Sequence, residues 1–195
     1  MNFLAHAFLS GEEELVLVGN ITGDTIRAIH MENFPVTLRK GVILHRAIDE
    51  FTDAHPEVLA CKKLLSPYFK RYSGVALDVY FDHFLSVNWE KYSEKNRDEF
   101  IRSVYQYLQM HNGLLPEKSR LFIQFMIRYD WLRSYHSVSG ISAILLQMSG
   151  RTKSDTGFQQ AREVLEKHYL EIDNHFNNFF PELVNFSRDH NQLTM

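Results

Sequence analysis

Residues 75–87 read Val-Ala-Leu-Asp-Val-Tyr-Phe-Asp-His-Phe-Leu-Ser-Val. Wound into a helix, this stretch is apolar almost all round, and a helix of that kind belongs inside a protein rather than on its surface. It must therefore be surrounded by other elements. It also carries Asp78, Asp82 and His83. Burying an unpaired carboxylate costs several kcal/mol or more, so each group needs a partner, a proton or a metal. Asp78 and Asp82, four residues apart, share one helix face. A metal site or acid–base site is one solution, and a buried structural network is the other.

The rest of the pattern is helical nearly throughout. Five prolines and nine glycines punctuate 195 residues, and no run of alternating strand residues stands out. Pro35 and Pro56 stand where helices begin. The pattern predicts helices over about 36–54, 56–71, 75–92, 93–111, 117–134, 138–149 and 155–179. Turns are expected near Ser73-Gly74 and Asn112-Gly113, and Phe180-Pro181 is expected to end or kink the last long helix. Phe176, Phe179 and Phe180 read as core. The expected fold is all-α, one compact multi-helix domain over residues 1–195, with no repeat or linker.

Composition excludes several classes of function. A net charge of -3 gives no footprint of a nucleic-acid binder. No uncharged run reaches the roughly 18 residues that span a membrane, and Met1-Asn-Phe-Leu-Ala-His lacks the features of a signal peptide. A single cysteine, Cys61, rules out an internal disulfide and suits a reducing compartment. A cytoplasmic protein is expected.

Other polar residues recur in apolar surroundings. His6 lies in Asn2-Phe-Leu-Ala-His, and is either a hydrogen-bonded core residue or a ligand. Gly19-Asn-Ile-Thr-Gly-Asp24 reads as turn signals, with Asp24 capping a helix or serving a site; the lysine and spacing of a phosphate loop are absent. His45 and Asp49, at i and i+4, point from one helix face. That spacing suits two ligands on one metal, or a histidine oriented by a carboxylate, but also a solvated pair. Asp53 and His55 flank the helix that Pro56 opens. Arg133, between Trp131 and Tyr135, belongs either to a phosphate grip or to an amphipathic surface turn. A mixed His/Asp set favours manganese, iron, zinc or nickel over calcium, and such a metal supports phosphoester hydrolysis.

The motifs Asn2-Phe-Leu-Ala-His6, Gly19-Asn20 with Asp24, His45-Arg46-Ala-Ile-Asp49 followed by Thr52-Asp53, and Asp78-Val-Tyr-Phe-Asp82-His83-Phe-Leu resemble the acyl carrier protein phosphodiesterase family. Trp131-Leu with Tyr135, and Gly140 to Arg151, add to the resemblance. It implies kinship with the all-helical HD-type metal-dependent phosphohydrolases. It also implies an activity that removes 4′-phosphopantetheine from holo-acyl carrier protein, with a divalent metal, typically Mn²⁺. By the same resemblance His6, Asp24, His45, Asp49, Asp82 and His83 are the candidate metal ligands. Asp24, Asp78 and Arg46 are the candidate catalytic residues, and Arg27, Arg46 and Arg133 the candidate substrate-binding residues. Residues 82–83 run Asp-His, against the His-Asp order that names the HD superfamily. Two other functions fit the residues: hydrolysis of a nucleotide or other small phosphoester by the same core, and a non-catalytic helical binding module.

Overall fold

A computed structural model describes residues 1–150 and 154–193. Arg151, the last residue of the Gly140 segment, lies outside them. The described residues form eleven α-helices and no strand. In chain order these are α1 (Phe3–Leu9), α2 (Glu14–Thr22), α3 (Val36–Ala54), α4 (Pro56–Phe69), α5 (Ser73–Val87), α6 (Trp89–Tyr92), α7 (Arg97–Met110), α8 (Glu117–Arg128), α9 (Trp131–Ser134), α10 (Val138–Ser149) and α11 (Ala161–Leu193). Short 3₁₀ turns cover Gly23–Thr25 and Ala28–Asn33 between α2 and α3. No helix among the described residues is long and apolar enough to cross a membrane.

The apolar stretch at residues 75–87 lies at the centre of the bundle. Along α5, Ala76, Leu77, Val79, Tyr80, Phe81, Phe84 and Leu85 are fully buried, and α1, α4, α10 and α11 pack around it. Phe81 stacks on Phe179 and meets Phe176 edge-on, both at 5.5 Å between ring centres. Such aromatic pairs add about 0.5–1.5 kcal/mol each beyond their buried area.

Local chemistry explains several helix starts. Pro35 caps α3 and Pro56 opens α4, as expected of a residue with fixed φ and no N–H. The Asn96 side chain accepts from the Asp98 and Glu99 backbone N–H groups and starts α7 there, not at Ser93. The structure differs from expectation at four other breaks. Ser73-Gly74 begins α5 rather than forming a turn, because the 3₁₀ turn at Lys70–Tyr72 makes the reversal first. The helix expected over 75–92 breaks at Asn88. The one expected over 117–134 breaks where Asp130 adopts left-handed φ. Finally, α11 runs through Pro181 and departs from helical geometry at His168 instead. Pro181 forfeits one hydrogen bond, but Phe179, Phe180 and Leu183 beside it are fully buried and hold the helix in place.

The crossing of α2 on α3 is tightly packed. A Cβ on Gly19 would lie 2.1 Å from the Leu38 carbonyl oxygen, and one on Gly41 would lie 2.1 Å from that of Val16. Only glycine allows the two backbones this close. The crossing sets Asn20 of α2 against His45 of α3.

Candidate metal centre

Two helices and one 3₁₀ turn contribute to the site. His6 comes from the middle of α1, His45 and Asp49 from successive turns of α3, and Asp24 from the turn after α2. The His6 and His45 rings stack at 4.3 Å between centres. His6 Nε2 lies 3.3 Å from Asp49 Oδ1. His45 Nε2 lies 3.2 Å from both Asp49 Oδ2 and Asp24 Oδ1. One ligand atom from each of His6, His45 and Asp49 falls within 4.8 Å of the others, so these three residues form a group able to hold a metal ion.

The electrostatics of the site favour a cation. Both histidines are buried, whereas the Asp24 side chain is 83% exposed and opens the site to solvent. Burial works against a charged His45 ring, and the Asp24 and Asp49 carboxylates overcome it, lifting its pKa to about 9. Burial lowers the pKa of His6, and the neighbouring His45 adds to the effect while Asp49 opposes it. Asp24 is held below the usual carboxylate range by His45. Asp49 is held low too: burial would raise its pKa, but His45 and His6 outweigh it. Although carboxylate oxygens are close, neither His6 Nε2 nor His45 Nε2 has a hydrogen-bond partner. Two buried imidazole nitrogens without hydrogen bonds, facing two ionised carboxylates, fit a borderline divalent cation.

The remaining residues singled out in the sequence take up other places. Asp82 is fully buried, and its carboxylate accepts from the backbone N–H groups of Asn2 (3.3 Å), Leu4 (2.7 Å) and Ala5 (3.3 Å). It caps the start of α1 from a distant part of the chain and is not brought into the His6–His45–Asp49 group. His83 Nδ1 donates to the Tyr135 carbonyl (2.8 Å), and its Nε2 accepts from the Tyr169 hydroxyl (3.0 Å). Both His83 nitrogens are thus engaged in tying α5 to α9 and α11. Asp78 accepts from the Met1 amino nitrogen (3.1 Å), which also lies 4.0 Å from Asp49 Oδ1, so Asp78 borders the site through that group. Arg46 donates to the Ile26 carbonyl (3.0 Å), next to the Asp24 turn, and Arg27 is exposed beside it. Arg133 pairs with Asp130 and Asp98, while the flanking Trp131 and Tyr135 are buried.

Two contributors escaped the sequence reading. Gly19-Asn20 reads as a turn but lies inside α2, where Asn20 is fully buried. The available signal was a single amide within the apolar run Leu15-Val-Leu-Val-Gly-Asn-Ile. Gly23 is the second: a Cβ there would lie 2.4 Å from His45 Cγ. That contact is with the root of the ring, which cannot swing aside. Gly23→Ala is expected to displace the His45 imidazole and weaken divalent-cation binding at least about 10-fold, as loss of an orienting contact does elsewhere. Isothermal titration of the folded variant checks this, and parental affinity would count against the contact.

Comparison with known proteins gives a consistent picture. The model of the acyl carrier protein phosphodiesterase family matches residues 1–183. The chain belongs to that family. Relatives named acyl carrier protein phosphodiesterase include one from Photorhabdus laumondii, 30% identical over 94% of this chain and 93% of the relative. One from Enterobacter sp. strain 638 is 30% identical over 94% and 96%. One from Klebsiella pneumoniae strain 342 is 29% identical over 97% and 98%. No solved structure matches the chain. All four residues of the site fall inside the family match.

Proposed function

We propose that this protein is a phosphodiesterase that hydrolyses holo-acyl carrier protein to the apo-protein and 4′-phosphopantetheine, using a divalent metal, Mn²⁺, held by His6, His45, Asp49 and Asp24. Membership of the family supports the reaction. The observation that carries the metal is the convergence of two buried Nε2 atoms without hydrogen bonds on two carboxylates. Asp82 and His83 are left out of this ligand set because other groups engage them. The buried, unpaired Cys61 suits the reducing cytoplasm, where we place the activity.

When bound, a divalent cation supplies Lewis-acid stabilisation of phosphoryl charge and acidifies water. The chain's own residues do the rest. Asp24, ionised and open to solvent, accepts the proton of the attacking water. Asp78, at the border of the site, is the alternative base. Arg46, fixed to the Ile26 carbonyl, and Arg27 beside it balance charge on the phosphate oxygens. Water oxygen bonds to phosphorus, the bond from phosphorus to the carrier protein's serine oxygen breaks, and that oxygen leaves with a proton. The Asp130 and Asp98 pairs of Arg133 leave it a weaker candidate for substrate binding.

Carrier proteins of this kind are acidic, so docking draws on basic residues near the site in sequence: Arg27, Arg39, Lys40, Lys62, Lys63, Lys70 and Arg71. Holo-carrier protein is expected to be turned over in preference to a panel of nucleotides, with a KM that rises as salt screens the charges. Turnover of the nucleotides in preference would favour the small-phosphoester reading. A salt-independent KM would remove the electrostatic docking.

A further inference from the structure

We infer that Asn20 is the positioning residue of the metal site, fixing both histidine ligands in the tautomer that leaves Nε2 free to bind a cation. The inference rests on the metal reading above and goes beyond it. Asn20 Nδ2 donates to the His6 carbonyl oxygen (2.8 Å) and to Ser10 Oγ (2.9 Å). Ser10 Oγ spends its own proton on the same carbonyl (2.7 Å). A carbonyl oxygen only accepts, so the amide nitrogen must face it. That places Asn20 Oδ1 against His6 Nδ1 at 2.8 Å, and an amide oxygen also only accepts. His6 Nδ1 therefore carries the hydrogen.

The backbone of the same residue does the equivalent for His45. The Asn20 carbonyl oxygen lies 2.6 Å from His45 Nδ1, so that nitrogen also carries a hydrogen. Each ring, when neutral, then presents its lone pair at Nε2, the atom that faces the carboxylates without a hydrogen bond. One fully buried residue sets two ligands, one through its side chain and one through its main chain. The glycine crossing of α2 on α3 brings that main-chain carbonyl within reach. In free solution a histidine side chain prefers the opposite tautomer, so the selection has to be imposed by its surroundings.

The test is Mn²⁺ binding to metal-free protein, followed by electron paramagnetic resonance, for the parent and Asn20→Ala. The variant is expected to bind about 10–100-fold more weakly, with helicity by circular dichroism unchanged. A purely structural asparagine would lower the melting temperature and leave the affinity alone, so parental affinity in the folded variant overturns the proposal. If the variant does not fold, nitrogen-15 NMR of the Zn²⁺-loaded parent decides. The expected result is coordination through Nε2 and a proton on Nδ1 for both rings, and a proton on Nε2 of either ring overturns it. A parent that binds neither Mn²⁺ nor Zn²⁺ fails the metal reading itself, and this inference with it. Parental binding with an unaffected Asn20→Ala fails the inference alone.

Discussion

Asp49→Asn is expected to reduce metal-dependent turnover of holo-carrier protein at least about 10³-fold, because it removes the carboxylate that touches both histidines and with it the cation's several kcal/mol of transition-state stabilisation. The substitution is nearly isosteric. Asp49 is 39% exposed at the edge of α3, so helicity should be retained. A second readout separates lost chemistry from lost binding. A ligand at about 100 times its Kd stabilises the folded state by about 2.7 kcal/mol. In a chain of this size that raises the melting temperature by about 5–10 °C. The parent should show this shift with Mn²⁺, and Asp49→Asn should show none. A full shift in the variant would mean that Asp49 is not a ligand.

Asp82→Ala is expected to lower stability by about 4 kcal/mol. The Asp82 carboxylate accepts from the backbone N–H of Leu4 at the start of α1, and it also takes those of Asn2 and Ala5. An orphaned buried donor costs about 1–3 kcal/mol, and here three are exposed to loss together. Burial pushes the carboxyl up to about 7, and the three N–H groups and the Met1 amino group pull the other way. That balance shows how much of the group's environment is set by α1. A seven-residue helix has no stability of its own, so without Asp82 the segment that carries His6 loosens. The expected fall in melting temperature is about 8–16 °C. Asp82→Asn, which keeps one acceptor, should fall less and bind Mn²⁺ with parental affinity. Loss of Mn²⁺ binding in a folded Asp82→Asn protein would return Asp82 to the ligand set.

These two aspartates show what could be read from the sequence and what could not. The i, i+4 spacing of His45 and Asp49 fixes them on one face of a helix whose ends the prolines mark, and α3 runs over Val36–Ala54 as expected. The same local rules place α10 at Val138–Ser149. For Asp82 and His83, local rules say only that buried polar groups must be satisfied. Their partners, the start of α1 for one and Tyr135 and Tyr169 for the other, lie some 50–90 residues away along the chain. No spacing rule reaches that far. Asn20 was hidden for a different reason: Gly-Asn is a common turn signal, and here the glycine serves a close helix crossing instead. Asp24 was legible as a residue of interest, but its distance from His45 depends on how the turn after α2 folds back onto α3.

The most direct test of the account is the intact mass of holo-acyl carrier protein after incubation with this protein and Mn²⁺, with and without chelator. The expected result is loss of the 4′-phosphopantetheine mass with Mn²⁺ and none with chelator. An unchanged mass while Mn²⁺ is shown to be bound would contradict it. Loss of the group at full rate in chelator would contradict the role given to His6, His45, Asp49 and Asp24.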